Sequence, residues 1–313
     1  MIKQILSCDW GTSGFRLRLV SVEDVIVLRE MTSQQGIAAV YNAWLESSQP
    51  ESNRVAFYKR ILQAVLESNF KENIKGIPIM MSGMASSTIG MKELEYGELP
   101  FQLKDMNLNI ECIKADDDLN HDIFLVSGLK TANDVMRGEE TMLLGFDMEK
   151  EEEALVIFPG THSKHVVVKK NAAVDFKTYM TGEMFDLLAS KSILSKSVVK
   201  NRNKHENIFI KGVQEVANNN FLNSLFHVRT NQLFKRYGAE ENYHFLSGLV
   251  IGYELKEIAS GGKNIYLVCS GNLVENYRTA LKALNPAIAF THYDADEALI
   301  KAHCRLSRAI DES

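Results

Sequence analysis

Two short segments constrain this chain most. Ile2 to Cys8 is an apolar run, Asp9-Trp10-Gly11-Thr12-Ser13-Gly14 interrupts it, and Phe15-Arg16-Leu17-Arg18-Leu19-Val20 then alternates with the period of a strand. Val25 to Leu28 supplies a third strand. Far downstream the order returns: Leu155 to Phe158 reads as a strand, Pro159-Gly160-Thr161-His162-Ser163 as a turn, His165 to Val168 as a strand and Ala172 to Phe176 as a third. A second correspondence supports the first, because Ile77 to Met81 runs into Ser82-Gly83 and Ile265 to Cys269 runs into Ser270-Gly271. Repetition of this kind, with helices between the strands, predicts two similar α/β halves.

The length of 313 residues accommodates two domains at about 150 residues each. The charged run Asp147 to Glu153 has the composition of a solvated connection, so the expected domains are 1–150 and 151–313. Helical spacing is expected over Arg54–Phe70, Thr181–Leu194, Phe221–Arg236, Leu246–Ile258 and Asp294–Arg308. Gly248 and Gly252, four apart, share a helix face and predict close packing in a core.

Composition removes several classes of function. With 35 basic against 40 acidic residues the net charge is −5, and the densest basic stretch, Lys200 to Lys204, is short, so no nucleic-acid partner is expected. The apolar opening is too short for an export-signal core, which makes a cytoplasmic location, away from membranes, the expectation. Cys8, Cys112, Cys269 and Cys304 have no paired spacing and the histidines are scattered, so neither a disulfide frame nor a zinc site is expected.

A Gly-Thr turn between strands gathers backbone N–H groups and a hydroxyl into one concavity, which suits phosphate oxygens. Two such turns, one per half, predict a nucleotide held by both, with Gly11, Thr12 and Ser13 on one side and Gly160, Thr161, His162 and Ser163 on the other. Gly271 and Asn272, following a strand, are candidates for the nucleoside. Asp9 ends a buried strand with no charge partner nearby in sequence, which makes it a candidate for Mg²⁺, directly or through water; the alternative is an Asx-type turn residue. His162 reads equally well as a phosphate donor or as an ordinary turn histidine.

Asp9-Trp10-Gly11-Thr12-Ser13-Gly14-Phe15-Arg16, Asp134-Val135-Met136-Arg137-Gly138-Glu139-Glu140-Thr141, Phe158-Pro159-Gly160-Thr161-His162-Ser163-Lys164, Thr181-Gly182-Glu183-Met184-Phe185 and Leu246-Ser247-Gly248-Leu249 together resemble the 2-dehydro-3-deoxygalactonokinase family over nearly the whole chain. The resemblance implies the actin-like ATPase architecture: two ribonuclease-H-like α/β domains around a nucleotide cleft. It also implies ATP and Mg²⁺ as cofactors, and phosphorylation of the 6-hydroxyl of 2-dehydro-3-deoxy-D-galactonate.

Phosphoryl transfer needs in-line positioning, charge neutralisation and a carboxylate that accepts the hydroxyl proton. In related sugar kinases that carboxylate sits on a helix just before the second phosphate turn, which points here to Glu139, with Glu140 close behind, in place of the more usual aspartate. On a helix the two side chains diverge by about 100°, so they are not expected to face the same reacting oxygen; the alternative is that Glu139 and Glu140 form ion pairs, for instance with Arg137. Arg137 offers bidentate geometry to a substrate carboxylate; Lys164 reads as a second cation for carboxylate or phosphate, or as a surface strand lysine. Gly83, Met84, Ser86 and Ser87 correspond to the family's sugar-side loop. Thr88 and Met91 stand where the commonest family form has arginine and tryptophan. The expected partners are a small sugar acid and ATP, with homodimerisation open. A kinase for another sugar or sugar acid, or an actin-like or chaperone-type ATPase, is the alternative.

Overall fold

The computed structural model describes residues 2–70, 74–148, 153–200, 205–217, 220–258 and 264–312. Two compact units separate, one of Met1–Glu151, Lys169–Asp175 and Ala295–Ser313, the other of Glu152–Val168 and Phe176–Asp294. Residues 149–152 of the charged connection and 201–204 of the basic stretch lie outside the described residues. This division departs from the expected 151–313 domain at its end. The helix Ala295–Glu312 groups with the first unit because its buried face, with Leu299, Ala302, His303, Cys304 and Leu306, docks there. Arg305 Nη1 donates to the Leu144 carbonyl at 2.7 Å, and Asp311 accepts the Ile2 N–H at 3.0 Å.

The first unit holds a six-stranded mixed sheet in the order Ile26–Ser33, Phe15–Ser21, Gln4–Trp10, Ile79–Gly83, Ile123–Val126, Ile110–Ile113. The three opening strands form an antiparallel meander, and Ile79–Gly83 joins Gln4–Trp10 in parallel. Ile5, Leu6, Cys8 and Trp10 are all buried, as a central strand covered on both faces requires. The first strand runs two residues further than its apolar stretch predicts. Asp9 and Trp10 remain in the ladder, opposite Arg16 and Phe15, because the Trp10 ring packs edge-on against Phe15 and Tyr58 at 4.9 and 5.6 Å. Helix Arg54–Asn69 buries Tyr58, Leu62 and Leu66 into this core.

The second unit repeats the order of the first four strands. From one edge the first five strands of its six-stranded sheet are Phe290–Tyr293, Asn264–Val268, Glu153–Phe158, Ser163–Lys169 and Ala172–Tyr179, with Asn264–Val268 parallel to both of its neighbours. Numbered by appearance, the first sheet is 3-2-1-4-6-5 and these five strands are 3-2-1-4-5, so the duplication read from the turns extends to the shared order 3-2-1-4. Helices Glu206–Gln214 and Ala239–Leu255 cover this sheet. Their contact is close because a Cβ at Gly248 would stand 2.0 Å from the Phe209 carbonyl, and one at Gly212 2.1 Å from that of Phe245. Ala239–Leu255 begins earlier than expected, the Gly238 N–H being capped by Glu241 Oε2 at 2.8 Å. Thr181–Ser190 ends earlier, where Ser192 accepts the Leu194 N–H. No helix among the described residues is long and apolar enough to cross a membrane.

Candidate active site

In the first unit the carboxylate candidates converge on Gly83. Asp9 pairs with Arg16 on one side and with Ser82 on the other, so its side chain projects where two strands end together. A Cβ on Gly83 would meet the Trp10 carbonyl at 3.0 Å and Asp9 Oδ1 at 3.5 Å, while one on Gly138 would lie 3.7 Å from Gly83 Cα. Asp9, Gly83 and the start of the short helix Glu139–Met142 are therefore neighbours. Burial holds the Asp9 carboxyl above its usual range against the pull of Arg16 and Arg18, with Asp296 and Glu139 adding to the rise.

The structure separates the two adjacent glutamates. Glu140 is buried and folds back, both carboxylate oxygens accepting the Gly138 N–H at 2.9 and 2.8 Å and Oε1 accepting the Thr141 hydroxyl at 2.9 Å. Burial, with Glu139 as a neighbouring negative charge, pushes it up to about 7. Glu139 is partly exposed and lies in the field of Asp9. Two carboxylates at such a spot fit a divalent cation, whose charge relieves their repulsion. Among the described residues no group of three or more His, Cys, Asp or Glu side chains is placed to hold a metal. A cation beside Asp9 would accordingly take most of its ligands from phosphate oxygens and water.

The first turn is fastened from behind. Gly11 N–H bonds the Gly14 carbonyl at 2.9 Å, while the Gly11 and Thr12 carbonyls accept from Ile37 and Ala38 at 2.9 and 3.0 Å, at the amino end of helix Ile37–Glu46. Gly36 permits this approach, since a Cβ there would stand 2.4 Å from the Thr12 carbonyl. The tip residues Thr12 and Ser13 are exposed.

On the loop expected to face the sugar, Ser86 and Ser87 are buried and occupied. Ser87 donates to the Met84 carbonyl at 2.7 Å, and Ser86 Oγ accepts Arg137 Nη1 at 2.7 Å. Arg137 also donates from Nε to the Tyr96 hydroxyl at 3.0 Å and from Nη2 to the Leu94 carbonyl at 3.3 Å, with its guanidinium carbon 4.0 Å from the Tyr96 ring centre. Three of five N–H donors are engaged, and the plane is fixed with two left over. Met84 packs partly buried against the core.

The second turn is fastened in the same way. Glu183 N–H bonds the Thr161 carbonyl at 3.1 Å, and Gly182, at the start of Thr181–Ser190, approaches so closely that a Cβ would meet Thr161 Cα at 2.7 Å. The exposed His162 ring pairs with Glu183, which favours its reading as a turn residue tied to this helix. Lys164 is 5% exposed, not a surface lysine, and its Nζ donates to the His162 carbonyl at 2.7 Å. Ser163 accepts the Gly160 N–H at 3.2 Å and meets the Tyr277 hydroxyl at 3.0 Å. Tyr277 donates to Glu254 at 2.6 Å, where Thr181 and His165 also converge. This buried cluster locks the turn, helix Thr181–Ser190 and helix Asn272–Leu284 together.

Those elements enclose a cavity of about 480 Å³ that brings Gly160 and Asn272 together with Thr181, Gly182, Phe185, Tyr243, Ser247 and Tyr277. Its walls are part apolar and part polar, and its volume suits a nucleoside. Gly271 precedes Asn272 with φ 66° and ψ −143°, much as Gly83 has φ 90° and ψ −147°. Sequence reasoning placed Gly160 and Asn272 together but did not assign Thr181, Gly182, Tyr243 or Ser247 to the site. The Thr181-Gly182-Glu183 and Leu246-Ser247-Gly248 segments carried that signal.

Comparison with known proteins agrees over the same span. A sequence model of the 2-keto-3-deoxy-galactonokinase family matches residues 9–306. A protein of Rhizobium meliloti named as a probable 2-dehydro-3-deoxygalactonokinase is 34% identical over 96% of each chain. The 2-dehydro-3-deoxygalactonokinase of Escherichia coli is 26% identical over 91% of each. Among solved structures, that of a candidate 2-dehydro-3-deoxygalactonokinase from Sinorhizobium meliloti superposes with a TM-score of 0.83 at 32% identity, covering 98% of this chain and 96% of that one.

Proposed function

This chain belongs to the 2-keto-3-deoxy-galactonokinase family, and on that premise we propose that it transfers the γ-phosphoryl group of ATP to the 6-hydroxyl of 2-dehydro-3-deoxy-D-galactonate, releasing ADP. The observation that carries the residue assignment is the approach of both Asp9 and Gly138, the residue before Glu139, to Gly83.

Glu139 is the proposed proton acceptor. As the substrate oxygen attacks the γ-phosphorus its proton passes to the Glu139 carboxylate, and the bond to the bridging oxygen breaks toward ADP. Asp9 is the residue that would hold Mg²⁺, which, when bound, neutralises charge on the phosphates. Glu140, occupied by Gly138 and Thr141, is assigned the structural role in the pair. The first turn, Gly11 to Ser13, and the second, Gly160 to Ser163, are assigned to phosphate oxygens, and the cavity lined by Gly160 and Asn272 to the nucleoside. Lys164 braces the second turn through His162. The sugar acid is assigned to the loop of Gly83, Met84, Ser86 and Ser87, where Arg137 presents its two remaining N–H groups to the substrate carboxylate. Ser86 and Ser87 act there by fixing Arg137 and the loop.

A coupled assay over 2-keto-3-deoxy sugar acids, galactonate and gluconate epimers included, tests the reaction. Turnover of ATP stimulated by the galactonate epimer is expected; equal ATP turnover without any sugar acid would contradict a kinase. In the same assay Arg137→Ala should raise KM for the acid by about 10- to 100-fold, the worth of a charge-assisted pair, and leave KM for ATP near the wild-type value. An equal rise for a neutral analogue would remove the carboxylate clamp.

A further inference from the structure

A line of buried polar side chains runs beneath the carboxylates of the first unit. Ser7 Oγ lies 2.8 Å from His303 Nδ1, and His303 Nε2 lies 2.8 Å from Ser82 Oγ. Ser82 donates to Thr141 Oγ1 at 3.0 Å and Thr141 donates to Glu140 Oε1 at 2.9 Å. Glu140 closes the line on the Gly138 N–H. None of Ser7, Ser82, Glu140, Thr141 and His303 is more than 1% exposed.

The line has a direction. Burial first, and the Arg18 charge second, push His303 down to about 3, so its ring is neutral and carries one N–H. With that proton on Nε2, Ser7 donates to Nδ1, His303 to Ser82, Ser82 to Thr141 and Thr141 to the Glu140 carboxylate, and every link is satisfied. Polar groups buried this deeply cost free energy that an apolar filler would not, so packing alone does not call for them. What the line reaches is Gly138, whose φ of 108° is strained for any other residue and which sets the backbone direction of Glu139. The same C-terminal helix reaches the second carboxylate, because Asp296 at its start pairs with Arg16 and Arg18, the two cations in the field of Asp9.

We propose that His303 is a positioning residue for phosphoryl transfer: acting through Ser82, Thr141 and Glu140, it fixes Gly138 and so aims the Glu139 carboxylate. The proposal rests on the reading of Glu139 as proton acceptor and goes beyond it, giving the C-terminal helix a part in the reaction geometry although it touches neither substrate.

Steady-state kinetics on the folded full-length chain test it, with His303→Leu, His303→Gln, Ser82→Ala and Glu139→Gln side by side. Misaiming a reacting group by about 1 Å costs up to about 100-fold, so His303→Leu and Ser82→Ala should lower kcat by about 10- to 100-fold with both KM values nearly unchanged. His303→Gln, whose amide can still donate to Ser82, should recover much of the loss. Ser82→Ala placed in the Glu139→Gln background should add almost nothing, since the group being aimed is gone. A purely structural His303 would lower the melting temperature and leave kcat of the folded enzyme intact. Wild-type kcat in Ser82→Ala beside a collapsed Glu139→Gln overturns the positioning role alone, and so does a full extra loss in the double variant. Wild-type kcat in Glu139→Gln removes the base reading and this proposal with it. If His303→Leu does not fold, Ser82→Ala, a small change within a strand, decides by itself.

Discussion

The two units answer the same local problem with the same parts and then diverge at one position. In each, a Gly-Thr turn joins the first two strands, its carbonyls are tied to the amino end of a helix, and a glycine lets that helix approach, Gly36 in the first unit and Gly182 in the second. A glycine of nearly the same backbone conformation ends the fourth strand of the first unit, Gly83, and follows that of the second, Gly271. With the turns aligned, however, Asp9 of the first unit corresponds to Phe158 of the second, a residue only 4% exposed. Beside Gly83 stand the Asp9 carboxylate and Gly138, the residue before Glu139; beside Asn272, the residue after Gly271, lies a cavity of about 480 Å³. Both units carry a Gly-Thr turn, and on the proposed assignment a single strand-end residue separates the half that carries the phosphoryl chemistry from the half that takes the nucleoside.

The largest effects should come from the position that differs. Asp9→Asn and Glu139→Gln are each expected to lower kcat by about 10²- to 10⁴-fold, the usual range for removing a charged or proton-accepting group from a transition state. Phe158→Leu, the counterpart change, exchanges one apolar core residue for another and should cost about 1 kcal/mol of stability with turnover largely kept. Equal losses of kcat at both positions would abolish the distinction.

Smaller effects should follow from the positions the units share. Gly36→Ala and Gly182→Ala each force a Cβ into turn backbone, at 2.4 Å from the Thr12 carbonyl and 2.7 Å from Thr161 Cα. Displacement of the first turn should lower kcat about ten-fold, whereas displacement of the second should mainly raise KM for ATP by a similar factor. The same kinetic signature from both variants would mean that the turns are interchangeable.

The last effect, confined to the first unit, is one on stability and concerns Glu140. Its carboxyl is pushed up from 4.5 to about 7, so the folded chain binds this proton more tightly than the unfolded chain does. Stability therefore falls as pH rises through that window, by at most about 3 kcal/mol, and the loss is complete above it. Glu140→Gln should flatten this slope when denaturant midpoints are compared at about pH 5 and about pH 8; an unchanged slope would place the titrating group elsewhere.

What the sequence made legible follows the range of the interactions involved. Strand alternation and Gly-Thr turns are local, so both meanders, helix Arg54–Asn69 and the repeated order were readable, as was the tight face of Gly248 and Gly252. The end of the first strand was misplaced because Trp10 is held in the ladder by Phe15 and Tyr58, and Tyr58 belongs to a distant helix. The amphipathic helix Ala295–Glu312 advertises a buried face without naming the sheet it meets, and it returns to the first unit through His303 and Arg305. Glu139 and Glu140 were indistinguishable as neighbours; the Gly138 N–H, which Glu140 folds back to bond, separates them. The cluster of Ser163, Tyr277, Glu254, Thr181 and His165 draws on four separate segments and left no pattern in any one of them.

The central claim is that the nucleoside site is assigned to the second unit and the proton-accepting carboxylate to the first. Calorimetric binding of ATP to Glu139→Gln, paired with a single-turnover measurement on the same preparation, tests it directly. The account predicts an ATP affinity close to that of the wild-type chain together with transfer slowed by about 10²-fold or more. Affinity and transfer lost in parallel, or transfer at the wild-type rate, would contradict it.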